Sequence, residues 1–184
     1  MKKTVWTFGL IAGGILSVTM LAVLPFQDSI GFDKGAVIGY ATMVLAFLLI
    51  FFGIRSYRDN VAGGIVSFGR AFVVGALISV VAGVCYVATW ELIYFKLSPD
   101  FSKKYAAYAI EKAKASGESQ AAIDKKVAEM QQFEELYQNP LYNAAVTFIE
   151  PLPVGLVIAL VSAGILRRRR AAPGSQFSVL SAES

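Results

Sequence analysis

Apolar and polar residues are laid out along this chain in blocks rather than in alternation. Four long apolar runs cover residues 5–24, 36–54, 71–95 and 141–166, and one long polar segment, 96–140, separates the last two. A hydrocarbon core about 30 Å thick is crossed by about 20 helical residues at 1.5 Å each. Each run reaches that length, so the pattern predicts four membrane-spanning helices. Helix is the required form, because lipid offers no hydrogen bonds to exposed peptide groups.

The joints between the runs sharpen this expectation. The first span is expected to stop at Pro25, which cannot continue the hydrogen-bond ladder. Residues 26–34 then read as a short loop carrying Asp28, Asp33 and Lys34. A basic start followed by an apolar run also suits a signal peptide. This run is long for one, and no A-x-A cleavage site follows it, so a retained helix is expected. The third run is long enough to tilt. The fourth is uneven, since residues 154–166 alone are too short to cross. It must take in residues 144–149, and with them Glu150, Pro151 and Pro153, which predicts a kink.

Between the second and third runs lies the stretch 51–72, a polar interruption with Arg55, Arg58, Asp59 and Arg70. It reads as a tight loop with a membrane helix leaving each end. Gly63-Gly64 permits the turn, Ser67 is placed to cap the third helix, and Arg58 and Asp59 can pair.

In the polar segment, Ser98-Pro99 reads as a helix start. Phe101, Tyr105 and Tyr108 share one helix face. Ser116-Gly117 breaks that helix, Ser119 caps a second, and Asn139-Pro140 ends it. The second helix carries Ile123, Val127, Met130, Phe133 and Tyr137 along its own face. These two faces are expected to bury against each other or on the membrane surface. The segment's lysines balance its acids, so it has no net charge to steer an ionic ligand.

Composition agrees. The 184 residues are 56% hydrophobic, above the 45–50% or so of soluble domains. The net charge of +4 is gathered at the ends of the runs, which points to topology rather than nucleic-acid binding. Lys2, Lys3, Arg55, Arg58, Arg70, Arg167, Arg168, Arg169 and Arg170 all fall on one side if the spans alternate. The positive-inside rule makes that side cytoplasmic, with both termini there and segment 96–140 outside. Trp6, Tyr57, Trp90 and Tyr94 fall near the expected interfaces. Small residues recur every four positions at Gly9/Gly13, Gly35/Gly39, Gly75/Ser79/Gly83 and Gly155/Ala159/Ala163, giving smooth stripes for close helix contact.

Candidate chemistry is sparse. The chain has no histidine and a single cysteine, Cys85, which excludes histidine-based catalysis and intrachain disulfides. No phosphate-binding loop, metal cluster or paired nucleophile is visible, so neither an enzyme nor a cofactor is expected. Glu91 and Glu150 stand out because each lies within an apolar run near its outer end. An ionised carboxylate at mid-bilayer costs on the order of 3 kcal/mol. They mark either a polar intramembrane site between the third and fourth helices or carboxylates tolerated near the headgroups. Arg167, Arg168, Arg169 and Arg170 read as a stop-transfer anchor that also attracts anionic headgroups.

The hinge carries Gly53-Ile54-Arg55, Tyr57-Arg58-Asp59, Gly63-Gly64 and Ser67-Phe68-Gly69-Arg70-Ala71-Phe72. A second patch holds Asn139-Pro140-Leu141, Phe148-Ile149-Glu150 and Leu152-Pro153-Val154-Gly155. In these the chain resembles a bacterial membrane family catalogued as domain of unknown function 4199, over residues 1 to about 170. The resemblance implies a four-helix membrane protein with an extracytoplasmic helical insertion, and implies no activity.

The sequence thus predicts an all-α, integral membrane four-helix bundle over residues 1–170, with a helical extracytoplasmic insertion at 96–140 and a disordered cytoplasmic tail at 171–184. The expected setting is the inner membrane. The expected role is structural or accessory, through a membrane or envelope partner. A small carrier or channel using Glu91 and Glu150 is the alternative.

Overall fold

A computed structural model describes residues 1–168. Arg169, Arg170 and the tail expected at 171–184 lie outside the described residues. Within them the chain is an all-α membrane bundle with four helices long and apolar enough to span: α1 (Lys2–Ile30), α2 (Phe32–Asn60), α3 (Phe68–Leu97) and α6 (Pro140–Leu166). Two polar helices, α4 (Phe101–Ala115) and α5 (Gln120–Tyr137), form a cap between α3 and α6.

The spans run longer than the apolar blocks, for local reasons. Pro25 does not end α1. It sits at the start of a 3-10 turn, Leu24–Phe26, where its missing N–H goes unneeded, and helix resumes through Ile30. What stops α1 is Gly31, at φ +75, and α2 begins at the next residue. The loop expected at 26–34 is therefore one glycine turn.

The hinge is shorter than expected as well. Arg55, Arg58 and Asp59 lie on the last turns of α2, and Arg70 lies in the first turn of α3. Only residues 61–67 are non-helical. Gly63 and Gly64 make the turn at φ +66 and +81. Ser67 accepts a hydrogen bond from the Arg70 amide and caps α3.

Helix α3 contacts all three other spans, and the small residues show how. A Cβ on Gly9 would lie 2.6 Å from Cβ of Val81, and one on Gly13 would lie 2.6 Å from Cβ of Cys85. On the other flank, a Cβ on Gly155 would lie 2.5 Å from Oγ of Ser79, and one on Gly75 would lie 2.8 Å from Cβ of Ala159. These stripes are backbone contacts, in lipid a main source of helix association. The stripe at Gly35 and Gly39 differs: nothing lies within 4 Å of a Cβ built on either.

Around these contacts the half of the bundle away from the cap is closed by Phe47, Ile50, Ile54, Val74 and Ile78, all fully buried. The ends of α3 and α6 on that side meet where the Arg168 amide donates to the Val66 carbonyl at 3.0 Å. Asp59 binds Arg58 through Nε at 2.7 Å and Nη2 at 3.2 Å, the pair expected from sequence. Arg55 lies 3.7 Å from the same carboxylate.

The cap leaves α3 through a π-helical turn, Ile93–Leu97. Helix α4 starts two residues later than Ser98-Pro99 had suggested. Ser98 instead donates to Asp100, the residue that precedes the helix. Ser119 caps α5, and Asn139 caps α6 by accepting from the Leu141 and Tyr142 amides. The aromatic face of α4 does more than meet α5. Phe32, at the head of α2, lies between Phe101, Tyr105 and Tyr108, at ring separations of 5.7, 5.5 and 5.0 Å. Two exposed ion pairs complete the docking: Lys104 to Asp28 of α1 at 3.2 Å, and Lys112 to Asp33 of α2 at 2.7 Å.

Two predictions follow from this packing. Gly155→Val forces a methyl into Ser79 and should cost about 1–3 kcal/mol, read as earlier thermal unfolding in detergent. Gly164→Val, which meets nothing within 4 Å, should leave the transition in place. The second concerns pH. The hydrogen bond to Asp33 raises the Lys112 ammonium above the ordinary lysine range. That pair therefore contributes fully below about pH 10.4 and is lost as pH rises past it. Asp100 is lowered, first by a backbone hydrogen bond and then by Lys104. Its contribution holds above about pH 3.9 and fades on acidification. Fluorescence of Trp90 in a Trp6→Phe background should be flat from about pH 5 to 9 and change outside that window.

Candidate functional site

Above the closed half, α1 and α2 contribute to a cavity of about 540 Å³, within the range of ligand sites. Its walls are mostly apolar, including Leu16 and Met20 of α1, Ile38 of α2 and Ile93 of α3. Gly35 and Gly39 line it too. This is why that stripe meets no helix: it borders open space. Phe101, Tyr105, Met130, Phe133 and Tyr137 of the cap form its roof.

Polar groups are a minority of the lining: Thr19 and Gln27 on α1, Tyr40 and Thr42 on α2, the tyrosines of the cap, and the residues around Glu150. Glu150 lines it together with Tyr40, Tyr86, Trp90 and Thr147. Tyr86 donates its hydroxyl to Oε2 of Glu150 at 2.9 Å. Among the described residues no lysine or arginine lies within salt-bridge distance of Glu150. The indole Nε1 of Trp90 is buried and has no hydrogen-bond partner.

The sequence positions Glu150 by breaking α6. Helix runs from Pro140 to Ile149 and again from Pro151 to Leu166, with Glu150 between them. Its backbone dihedrals stay helical at φ −61, ψ −53, while the helix is interrupted at this residue. Pro151 and Pro153 have no N–H to give to the carbonyls of Thr147 and Ile149.

A second polar cluster supports the joint between α5 and α6. Asn143, fully buried, donates to the Tyr137 carbonyl at 3.2 Å and accepts from Thr147 at 3.2 Å. The Tyr137 hydroxyl lies 3.0 Å from Oγ1 of Thr147. Tyr137 stacks on Phe133 at 4.6 Å and meets Tyr94 edge-on at 5.2 Å. A chain of buried hydrogen bonds thus fixes the roof to α6.

The two carboxylates singled out in the sequence are not brought together. Glu150 lines the chamber and Glu91 does not. Their depths differ too. At 1.5 Å per residue Glu150 is about 25 Å along its helix from Arg167, inside a core of about 30 Å, whereas Glu91 is about 31 Å from Arg70, at the boundary. Trp90 and Tyr94, placed by sequence in an interfacial belt, turn inward. Trp90 packs edge-on against Phe101 at 4.8 Å, and Tyr94 is buried. Arg55, Arg58, Asp59 and Arg70 lie at the opposite end of the bundle and form no part of the chamber.

Sequence reading missed Tyr40, Tyr86 and Phe32. The first two carried a signal, a phenol in the middle of an apolar run; Phe32 sat in a stretch read as loop. Among the described residues there is no group of three or more potential metal ligands. A family model described as "Protein of unknown function (DUF4199)" matches residues 7–168. No curated protein and no solved structure matches the chain.

The Asn143 cluster generates a stability test. Asn143→Ala strips the Tyr137 carbonyl and the Thr147 hydroxyl of partners and should cost about 1–3 kcal/mol. Thermal unfolding in detergent measures it. Tyr142→Phe, at an exposed position that makes no side-chain hydrogen bond in the structure, is the control.

Proposed function

The chain belongs to the family described as proteins of unknown function, DUF4199, and on that premise we propose that it acts by binding rather than catalysis, as an accessory protein of the inner membrane. Its partner is a membrane-soluble molecule held in the chamber under the cap. The supporting observation is the chamber itself: about 540 Å³ and largely apolar, with a small number of polar side chains in its lining, as ligand sites are built. The charge pattern supports cytoplasmic termini and an outer cap. In that orientation the chamber lies in the outer half of the membrane. Arg167, Arg168, Arg169 and Arg170 hold the other end against anionic headgroups.

The carrier reading draws on one observation, a carboxylate within a span. Against it stands the inner half, where fully buried Phe47, Ile50, Ile54, Val74 and Ile78 close the path below Glu150, and Glu91 supplies no second station.

Extraction and mass spectrometry of the purified protein should recover one apolar species above bulk lipid. Gly39→Phe, whose Cβ meets nothing within 4 Å and which places a ring at the chamber wall, should lose it. Equal bulk lipid from both proteins would sink the binding role. In liposomes, an ion or proton flux that Glu150→Gln abolishes would establish the carrier instead. Orientation is checked separately: a cysteine at Ala62 in a Cys85→Ala background should resist impermeant reagent added outside cells, and one at Glu118 should react.

A further inference from the structure

The chemistry of the chamber identifies the class of its occupant. A carboxylate below the membrane surface needs a proton, a cation or a full set of hydrogen bonds to offset lost hydration. Glu150 receives one hydrogen bond, from Tyr86 at Oε2, and among the described residues no basic side chain pairs with it. The Tyr40 hydroxyl lies near the same carboxylate, and Glu150 is exposed, so a cation can reach it. Trp90 packs against the same chamber, but its Nε1–H is closed off from it and lies near the Tyr137 hydroxyl. The remaining wall is mostly apolar, and Gly35 and Gly39 leave space along α2 where any side chain would intrude.

Resting on the chamber-binding reading above, we propose that the occupant is a single-chain amphiphile with a protonated amine at its head. The ammonium sits on Glu150 beside the Tyr86 hydroxyl. The alkyl chain lies along Gly35 and Gly39. An ammonium supplies the counter-charge the carboxylate lacks, which an uncharged head of equal size does not.

Trp90 allows the test to be optical. The chain has two tryptophans, so Trp6→Phe leaves Trp90 alone. In phosphatidylcholine nanodiscs, 6,7-dibromododecylamine, whose bromines sit in the part of the chain nearer the head, should quench Trp90 at about one tenth of the concentration that 6,7-dibromododecanol requires, the ratio expected of one charge-assisted hydrogen bond. Glu150→Gln should erase the difference, and Gly39→Phe should suppress quenching by both. Where Glu150→Gln does not fold, the N-acetylated amine serves instead. Its affinity should fall to that of the alcohol.

Equal quenching by amine and alcohol that Gly39→Phe removes would overturn the amine assignment and leave the chamber reading standing. An amine preference that survives Glu150→Gln would assign it to the bilayer and overturn the proposal as well. Quenching that Gly39→Phe does not alter would overturn both readings. Phosphatidylethanolamine added to the discs separates two sources of the same chemistry: competition identifies a lipid headgroup, unchanged quenching a free amphiphile. Unchanged quenching upholds the proposal, whereas competition upholds the amine head and overturns the single-chain occupant.

Discussion

The architecture depends on how closely helix α3 approaches its neighbours. Lipid tails are as apolar as the side chains they replace, so burial gives helices in a membrane little reason to associate. Association must come from contact, and contact is closest where side chains are smallest. Gly9 and Gly13 admit Val81 and Cys85 of α3 from one side, and Gly155 admits Ser79 from the other. Polar groups add to the first seam: Oγ1 of Thr89 lies 2.7 Å from Oγ of Ser17 and 2.9 Å from the Cys85 carbonyl. With α1 and α6 fixed on α3, α2 is left to cover the half away from the cap, and there it packs fully.

The same constraint creates the chamber. Gly35 and Gly39 follow the four-residue spacing of the other stripes, yet they border open space. Helix α2 is held away from the cap by Phe47, Ile50 and Ile54 and at the cap by Phe32 within its aromatic rings. Between those two anchors its smooth face spans a gap. Glu150, Tyr86 and Tyr40 occupy that level, so the polar groups and the space coincide.

Much of this was legible in the sequence. Block hydropathy located four spans, and capping chemistry located Ser67 and Ser119, because both are local. The break at Glu150 was legible for the same reason: proline acts on its own helix. What escaped was set by distant contacts. Phe32 looked like a loop residue because its partners lie some seventy positions away along the chain (about the separation of Asp28 from Lys104, 76 residues). Pro25 looked like a terminator because a 3-10 turn that accommodates it depends on the following residues. Whether a glycine stripe meets a helix or a void depends on where the neighbouring span lies, and spacing alone does not carry that. Glu91 and Glu150 looked equivalent in an apolar context, and only the packing of α3 against α6 separates a carboxylate in the chamber from one at the boundary.

The attachment of the cap is asymmetric, and this has a mechanical consequence. On the side of α3 and α6 it is hung from the chain itself, through the π turn at Ile93–Leu97 and the buried Asn143 joint. On the side of α1 and α2 it is fastened by one phenylalanine and two solvent-exposed ion pairs, contacts that individually contribute little. Such a door has strong pins along one edge and a light catch along the other. Local opening of the cap is therefore expected to begin on the α1 and α2 side, where the fewest buried contacts have to be broken.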